Sequence, residues 1–188
     1  KRAETGRGMV VDTSLYETAL GWMVYFLPML EMSGKLPAKA GSGTAMISPY
    51  QAFRTADGEL VIAAGNDNLF RKMCDVLGAP EWAADPRFAS NGLRVENKPD
   101  LIEMIEAKTC TKTSAEWAAL LDAAGVPNAP VQTIAQVAEH PQTEALGIIR
   151  RSPGDGRRFF GLPISFDGHR PGRNEPAPPL GRDSSKND

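Results

Sequence analysis

Arg150, Arg151, Arg157 and Arg158 make the one basic cluster of the sequence, suited to a phosphate, to the acidic groups of a partner, or to a solvated face. Gly65-Asn66-Asp67-Asn68 stands before a helical pattern, where backbone N–H groups attract anions. It lacks the P-loop lysine and the Rossmann glycine spacing, so Asn66 or Asp67 is expected to cap the helix. His140 and His169 lie 29 residues apart beside turn-forming residues, with no neighbouring ligands, and neither reads as catalytic. Asp12 opens a helical pattern, where its carboxylate is expected to cap exposed N–H groups. Glu103, Glu106 and Glu116 fall on the surfaces of expected helices as solvated charges. Cys74 and Cys110 belong to no CxxC and to no spacing with histidine that holds zinc, so both are expected to be buried, reduced thiols, and no metal site is expected. No catalytic residue emerges from these groups.

The elements that must position these residues follow from periodicity and turn chemistry. Residues 1–11 read as a helix end, a turn at Gly6 and Gly8, and a short apolar strand Met9-Val10-Val11. From Asp12 a helix is expected, with Ser14 and Glu17 at capping-box spacing and apolar residues on nearly every face, from Leu15 through Trp22 and Phe26 to Leu30. A helix apolar all round needs a partner surface, and left uncovered it predicts self-association. Residues 33–48 are rich in small residues, show no period and form a loop. Residues 50–55 and 59–64 flank Ala56-Asp57-Gly58 as a β-hairpin, with Gly58 available for a positive φ.

Further on, Leu69, Phe70, Met73, Cys74 and Leu77 line one helical face that Gly78 and Pro80 end. A second helix is expected over 91–108, kinked or split by Pro99. Thr113 and Glu116 begin a third, around Trp117, that Gly125-Val126-Pro127 closes. A strand over 129–133, one or two helical turns over 134–139 and a strand over 147–151 come next. The segment 153–181 holds six prolines and six glycines, a wandering tail with strand-like pieces at 158–160 and 164–166.

With 188 residues, 41% of them hydrophobic, and a net charge of −2, the chain is an ordinary globular protein without the positive field that gathers nucleic acid. The longest charge-free apolar run, 18–30, contains Glu-free sequence but also Pro28 and falls short of the roughly 20 residues a membrane span needs. The expectation is no nucleic acid, no membrane and, from the unpaired thiols, a cytoplasmic address.

The order of short motifs resembles the family III CoA-transferases, the CaiB/BaiF family, which also includes the α-methylacyl-CoA racemases. The resemblance is carried by Thr5-Gly6-Arg7-Gly8 with Val11-Asp12-Thr13-Ser14-Leu15, Pro49-Tyr50-Gln51-Ala52-Phe53, Asp57-Gly58 and Gly65-Asn66-Asp67-Asn68-Leu69-Phe70. It continues in Asp85-Pro86-Arg87-Phe88, Asn91, Arg94, Asn97, Glu116-Trp117, Gly125-Val126-Pro127, Pro130-Val131, His140-Pro141-Gln142 and Gly147, then Pro163, Phe166, Gly168, Pro178, Leu180 and Gly181.

The resemblance implies an α/β fold: the small α/β domain of a family III CoA-transferase plus segments of the large Rossmann-like domain, in an interlocked-dimer architecture. Residues 1–40 would be the exit helix and linker from the large domain, 41–146 the small domain and 147–188 the return segment. It implies coenzyme A as an acyl-CoA substrate, with carboxylic acids as donor and acceptor, and a homodimer or an N-terminal half as partner. An aspartate nucleophile that forms an aspartyl-CoA intermediate is expected upstream of Lys1, leaving this chain inactive alone. Gly41, Ser42 and Gly43 correspond to a glycine-rich loop that closes over the reacting aspartate, although this version has fewer glycines and reads equally as a plain linker. The Pro49-Tyr50 and Gly65-Asn66-Asp67 segments look more like transferases than racemases. A racemase-type enzyme and a non-catalytic assembly subunit of a split enzyme remain the alternatives. The family's acidic terminal helix is not expected from Asp183-Ser184-Ser185-Lys186-Asn187-Asp188, so truncation at both ends is expected.

Overall fold

The computed structural model describes residues 2–36, 38–172 and 180–181; Pro178 and the 183–188 stretch lie outside the described residues. Two compact units, Lys1–Pro130 and Val131–Asp188, make a mixed α/β chain.

In the first unit, α1 (Arg2–Thr5) ends at Gly6, whose φ is 66°. The strand expected at Met9-Val10-Val11 does not form. Those residues are exposed and pair with no strand among the described residues, and an extended segment without a ladder has nothing to hold it. The single helix expected from Asp12 is two, α2 (Leu15–Trp22) and α3 (Phe26–Ser33). Pro28 explains the break: it has no N–H and its ring would clash with the carbonyl four residues back, so the chain restarts with Pro28 in a first turn, where no N–H is needed. Ser14, not Asp12, caps α2, its hydroxyl accepting from Glu17 N–H at 3.2 Å. No side chain of either helix is buried; Leu15, Trp22 and Tyr25 are 92, 80 and 82% exposed.

The core lies wholly between Phe53 and Val126. Strands β1 (Tyr50–Arg54) and β2 (Glu59–Ala63) pair antiparallel, Tyr50 opposite Ala63 and Arg54 opposite Glu59. Gly58 does not take the positive φ expected of it. Thr55 closes the hairpin instead: its N–H donates to the Gly58 carbonyl at 2.9 Å and its hydroxyl accepts from Gly58 N–H at 3.1 Å. Leu60 and Ile62 alternate into the core, the period of two that a half-covered strand requires.

Helix α4 (Asp67–Val76) lays Phe70, Met73 and Cys74 against the core and stops at Gly78, φ 66°. Short 3-10 turns at Pro80–Ala84 and Pro86–Phe88 bury Trp82 and Phe88. The helix expected over 91–108 is divided at Asn97 into α5 (Asn91–Glu96) and α6 (Lys98–Thr109), with Pro99 in the first turn of the second. Helix α7 (Ser114–Ala124) opens with a complete Thr113–Glu116 capping box and closes at Gly125, φ 68°. Glu116 is exposed on the helix surface, as expected, and is at the same time the cap. Strand β3 (Asn128–Pro130) then pairs antiparallel with β2, one residue earlier and shorter than the 129–133 expected, giving the order β1-β2-β3.

The free edge of β1 is covered by side chains, as an edge must be to avoid pairing with other strands. Ser42 Oγ accepts from Ala52 N–H at 3.1 Å and Glu106 Oε1 from Arg54 N–H at 3.2 Å. Glu106 also binds the Arg54 guanidinium at 2.6 Å, so it departs from the solvated charge expected. Cys74 is buried, and burial pushes its thiol up to about 12. Cys110 is exposed, against expectation, because it follows the last residue of α6, where the chain turns outward.

The second unit holds α8 (Ile134–Ala138), capped by a Thr133–Gln136 box, and an unforeseen α9 (Pro141–Ala145) capped by His140. Strands β4 (Ile149–Arg151) and β5 (Arg158–Phe160) form a two-stranded antiparallel ribbon. The piece at 164–166 is no strand; Phe166 and His169 exchange two backbone hydrogen bonds of 2.8 Å across a tight turn. No helix among the described residues is long and apolar enough to cross a membrane.

One buried cation organises the first unit. Arg94 is wholly buried, its guanidinium 4.6 Å above the Phe70 ring, donating to the carbonyls of Ser48 (2.8 Å) and Phe88 (3.0 Å) and to Asp67 Oδ1 (2.8 Å). Arg94→Met keeps most of the volume but orphans two carbonyls; at about 1–3 kcal/mol each, the loss in urea unfolding should be roughly 2–6 kcal/mol. The Asp67 side chain is 62% exposed, so Asp67→Asn should cost under about 1 kcal/mol. Equal losses would show that the ion pair rather than carbonyl ligation matters.

Hydrogen bonding from the Arg54 side chain holds the Glu106 carboxyl below the usual carboxylate range; the Ser114 amide, the Arg87 side chain and the Thr113 amide do the same for Asp57, Asp85 and Glu116. Each binds a proton less readily folded than unfolded, so its stabilisation is complete above the unfolded value and lost as pH falls through the folded one. Unfolding stability should be flat from neutral to about pH 5 and fall steeply below about pH 4, with a shallower acid limb in Glu106→Gln.

Candidate functional site

Residues 41–48 form a strap along the edge of β1, tied down unevenly. Gly41 and Ser42 are exposed, Gly43, Thr44 and Ile47 half-buried, and Ser48 fully buried. At the leading end, Gly43 N–H donates to the Ala40 carbonyl at 2.9 Å, and the turn places Gly41 at φ 59°, a region that favours glycine. A Cβ on Gly41 would meet nothing within 4 Å. One on Gly43 would lie 3.0 Å from Lys98 Nζ and 3.1 Å from Gln51 Oε1. Lys98 Nζ donates to the Thr44 carbonyl at 3.0 Å.

The trailing end is clamped. Asn91 donates to the Met46 carbonyl at 2.8 Å and accepts from Ser48 N–H at 3.1 Å, while Arg94 takes the Ser48 carbonyl. A Cβ on Gly65 would lie 2.5 Å from Ile47 Cγ2, so the strap's seat on the end of β2 requires glycine there. Thus Gly41, Ser42 and Gly43 lie together at the loosely held tip of a strap whose base is fixed. Asn91, Arg94 and Lys98, the residues that fix it, were not singled out from sequence as holding anything. The available signal is their spacing: polar groups three and four apart put Asn91 and Arg94 on one helical face and Lys98 a turn further on.

The Gly65 to Asn68 turn does cap a helix. Asn66 Oδ1 accepts from Leu69 N–H at 2.9 Å, and Asp67 serves Arg94. A groove of about 530 Å³ lies beside α6, lined by Arg54, Pro99, Ile102, Glu103, Glu106, Ala107 and Cys110. Its one arginine is already bound by Glu106.

In the second unit, the basic cluster divides. Arg150 grips the carbonyls of Arg170, Pro171 and Gly172, Arg157 pairs with Asp155 at 3.1 Å, and Arg158 with Glu139 at 2.6 Å. Arg151 and Arg158 are cross-strand partners that line a groove of about 290 Å³ with Glu139 and Glu144, so acid and base there offset each other. His140 Nδ1 accepts from Gln142 N–H at 3.1 Å as a helix cap.

Comparison with known proteins places this arrangement. Residues 1–184 match the profile of CoA-transferase family III. An acetyl-CoA:oxalate CoA-transferase from Acetobacter aceti is 34% identical over 178 residues, 95% of this chain and 45% of that protein. A succinyl-CoA:glutarate CoA-transferase from Mus musculus is 30% identical over 149 residues, 79% of this chain and 34% of that protein. A CaiB/BaiF family protein from Brucella suis superposes with a TM-score of 0.81 at 33% identity, over 98% of this chain and 48% of that one. Rv3272 from M. tuberculosis gives 0.78 at 26% identity, over 98% of this chain and 49% of its own. The chain spans less than half the length of these relatives. The family match takes in the helices of the first unit, the clamped strap and the second unit, and by it the chain belongs to CoA-transferase family III.

Proposed function

We propose that this chain is the strap-bearing portion of a CoA-transferase that moves coenzyme A between carboxylic acids, with the nucleophilic aspartate in sequence it does not carry. The observation that carries this reading is the match, 34% identical over 95% of the chain, to a relative named for that reaction, of which it covers 45%. Residues 1–40 would leave the large domain, 41–146 form the small domain and 147–188 return, two such chains interlocking in the cytoplasm. The bare apolar faces of α2 and α3 support a covering surface from the rest of the assembly.

In the proposed reaction an aspartate carboxylate attacks the acyl-CoA carbonyl, giving an acyl-aspartyl anhydride and expelling CoA thiolate. The thiolate attacks the aspartyl carbonyl, which releases the donor acid and leaves aspartyl-CoA. The acceptor carboxylate then attacks that thioester, and the thiolate freed takes the acceptor's acyl carbon, regenerating the aspartate. Anhydride and thioester both hydrolyse when wet, so the step demands a cover. The 41–43 tip, exposed at Gly41 and Ser42 and half-buried at Gly43 on a fixed base, suits that cover.

The test is thioester exchange followed by mass detection, with acetyl-CoA or succinyl-CoA as donor and oxalate, glutarate or succinate as acceptor. The longest natural reading frame containing these residues should transfer CoA, and the 188 residues alone should not. Turnover by the 188 residues alone overturns the placement of the nucleophile. Deuterium uptake at the α-carbon of a 2-methylacyl-CoA without transfer identifies a racemase instead. In the transferring form, Gly41→Pro fixes φ near −65° where +59° is observed. Transfer relative to hydrolysis should then fall on the order of tenfold, about 1.4 kcal/mol in the barrier, with unfolding stability lowered by about 1 kcal/mol.

A further inference from the structure

Lys98 is the unusual member of the three residues that hold the strap. It is the first residue of α6, the end of a helix where a positive charge opposes the dipole, and it is half-buried although lysine is ordinarily among the most exposed residues. Its ammonium is turned away from water onto the Thr44 carbonyl, 54 residues earlier in the chain. The approach is possible because position 43 is glycine: a Cβ there would stand 3.0 Å from Nζ. A cation held at the wrong end of a helix, in a space that a glycine keeps open, is placed for what it holds.

Along the strap, Thr44 is the boundary. Beyond it Asn91 and Arg94 hold Met46 and Ser48 in the body of the unit. Before it, one exposed hydrogen bond from Ala52 N–H to Ser42 Oγ parks the tip on the edge of β1. We propose that Lys98 is a positioning residue that pins the strap at Thr44, so that only 41–43 swings and always about the same point. This rests on the reading of 41–43 as the cover of a CoA-transferase active site. Without the pin, the moving length would extend to the grip of Asn91 on Met46, and the cover would close loosely over a water-sensitive intermediate.

The test uses the transferring form of the protein with Lys98→Met, which keeps the stem and removes the donor, and Lys98→Arg, which restores a donor. In Lys98→Met, kcat for transfer should fall about tenfold, with KM for acyl-CoA within about twofold of wild type, and the freed thioester should appear as hydrolysis product. Lys98→Arg should recover most of the loss. Hydrogen exchange at the amides of Thr44, Ala45 and Met46 should quicken in Lys98→Met while the amides of β2 keep their protection. Wild-type exchange and a wild-type ratio of transfer to hydrolysis in Lys98→Met would overturn the proposal. Absence of transfer in the wild-type protein overturns the transferase reading instead; hydrogen exchange then decides the pin, quickened exchange reversed by arginine supporting it and unchanged exchange refuting it.

Discussion

A guanidinium removed entirely from water sets the geometry of the first unit. Burying a charge is costly, and Arg94 is tolerated because its donors meet two carbonyls and a carboxylate while the Phe70 ring lies beneath it. Its three acceptors come from three separate stretches: the strap, the 3-10 turn ending at Phe88, and the start of α4. Moving any one of these stretches would leave part of the buried guanidinium unpaired, so the arginine ties the three together. Asn91, one turn earlier on the same helix, holds the strap through both atoms of its amide.

This constraint gives the family pattern a physical meaning. Of the motif residues, Asp67 and Phe88 meet at the Arg94 guanidinium, Asn91 holds the strap, and Asn97 ties back to the carbonyls of Arg87 and Leu93. Asn91, Arg94 and Lys98 fix the base of the strap through its backbone groups. The second unit uses the same device: Arg150 and Arg170 ligate backbone carbonyls of an irregular segment that has little regular structure of its own.

What the sequence disclosed were the features set by neighbours in the chain. The hairpin, the Thr113–Glu116 box, the Asn66 cap, the stops at Gly78 and Gly125 and the division at Pro99 all follow from residues a few positions apart. The clamp was illegible because its bonds span more than 40 residues, and periodicity carries no information about such pairs. Expectations failed where a local signal needed a distant partner: Met9-Val10-Val11 has β-formers but no ladder, and 164–166 makes a single bridge. Glu106 read as a surface charge because Arg54 is 52 residues away, and Pro28 was weighed too lightly against an apolar run. Of the 41–43 segment, the glycines were visible and the uneven tethering was not.

A small α/β body, organised by a buried cation, holds a short strap by its base; under the proposed function the tip of that strap would cover chemistry performed by a carboxylate elsewhere. The direct measurement is to locate that carboxylate. The longest natural form of the protein would be incubated with acyl-CoA, the aspartyl-CoA thioester trapped by borohydride reduction to the alcohol, and the altered peptide identified by mass spectrometry. The account predicts a reduced aspartate on a peptide outside the 188 residues described by this sequence. A reduced carboxylate on a peptide within them would contradict it.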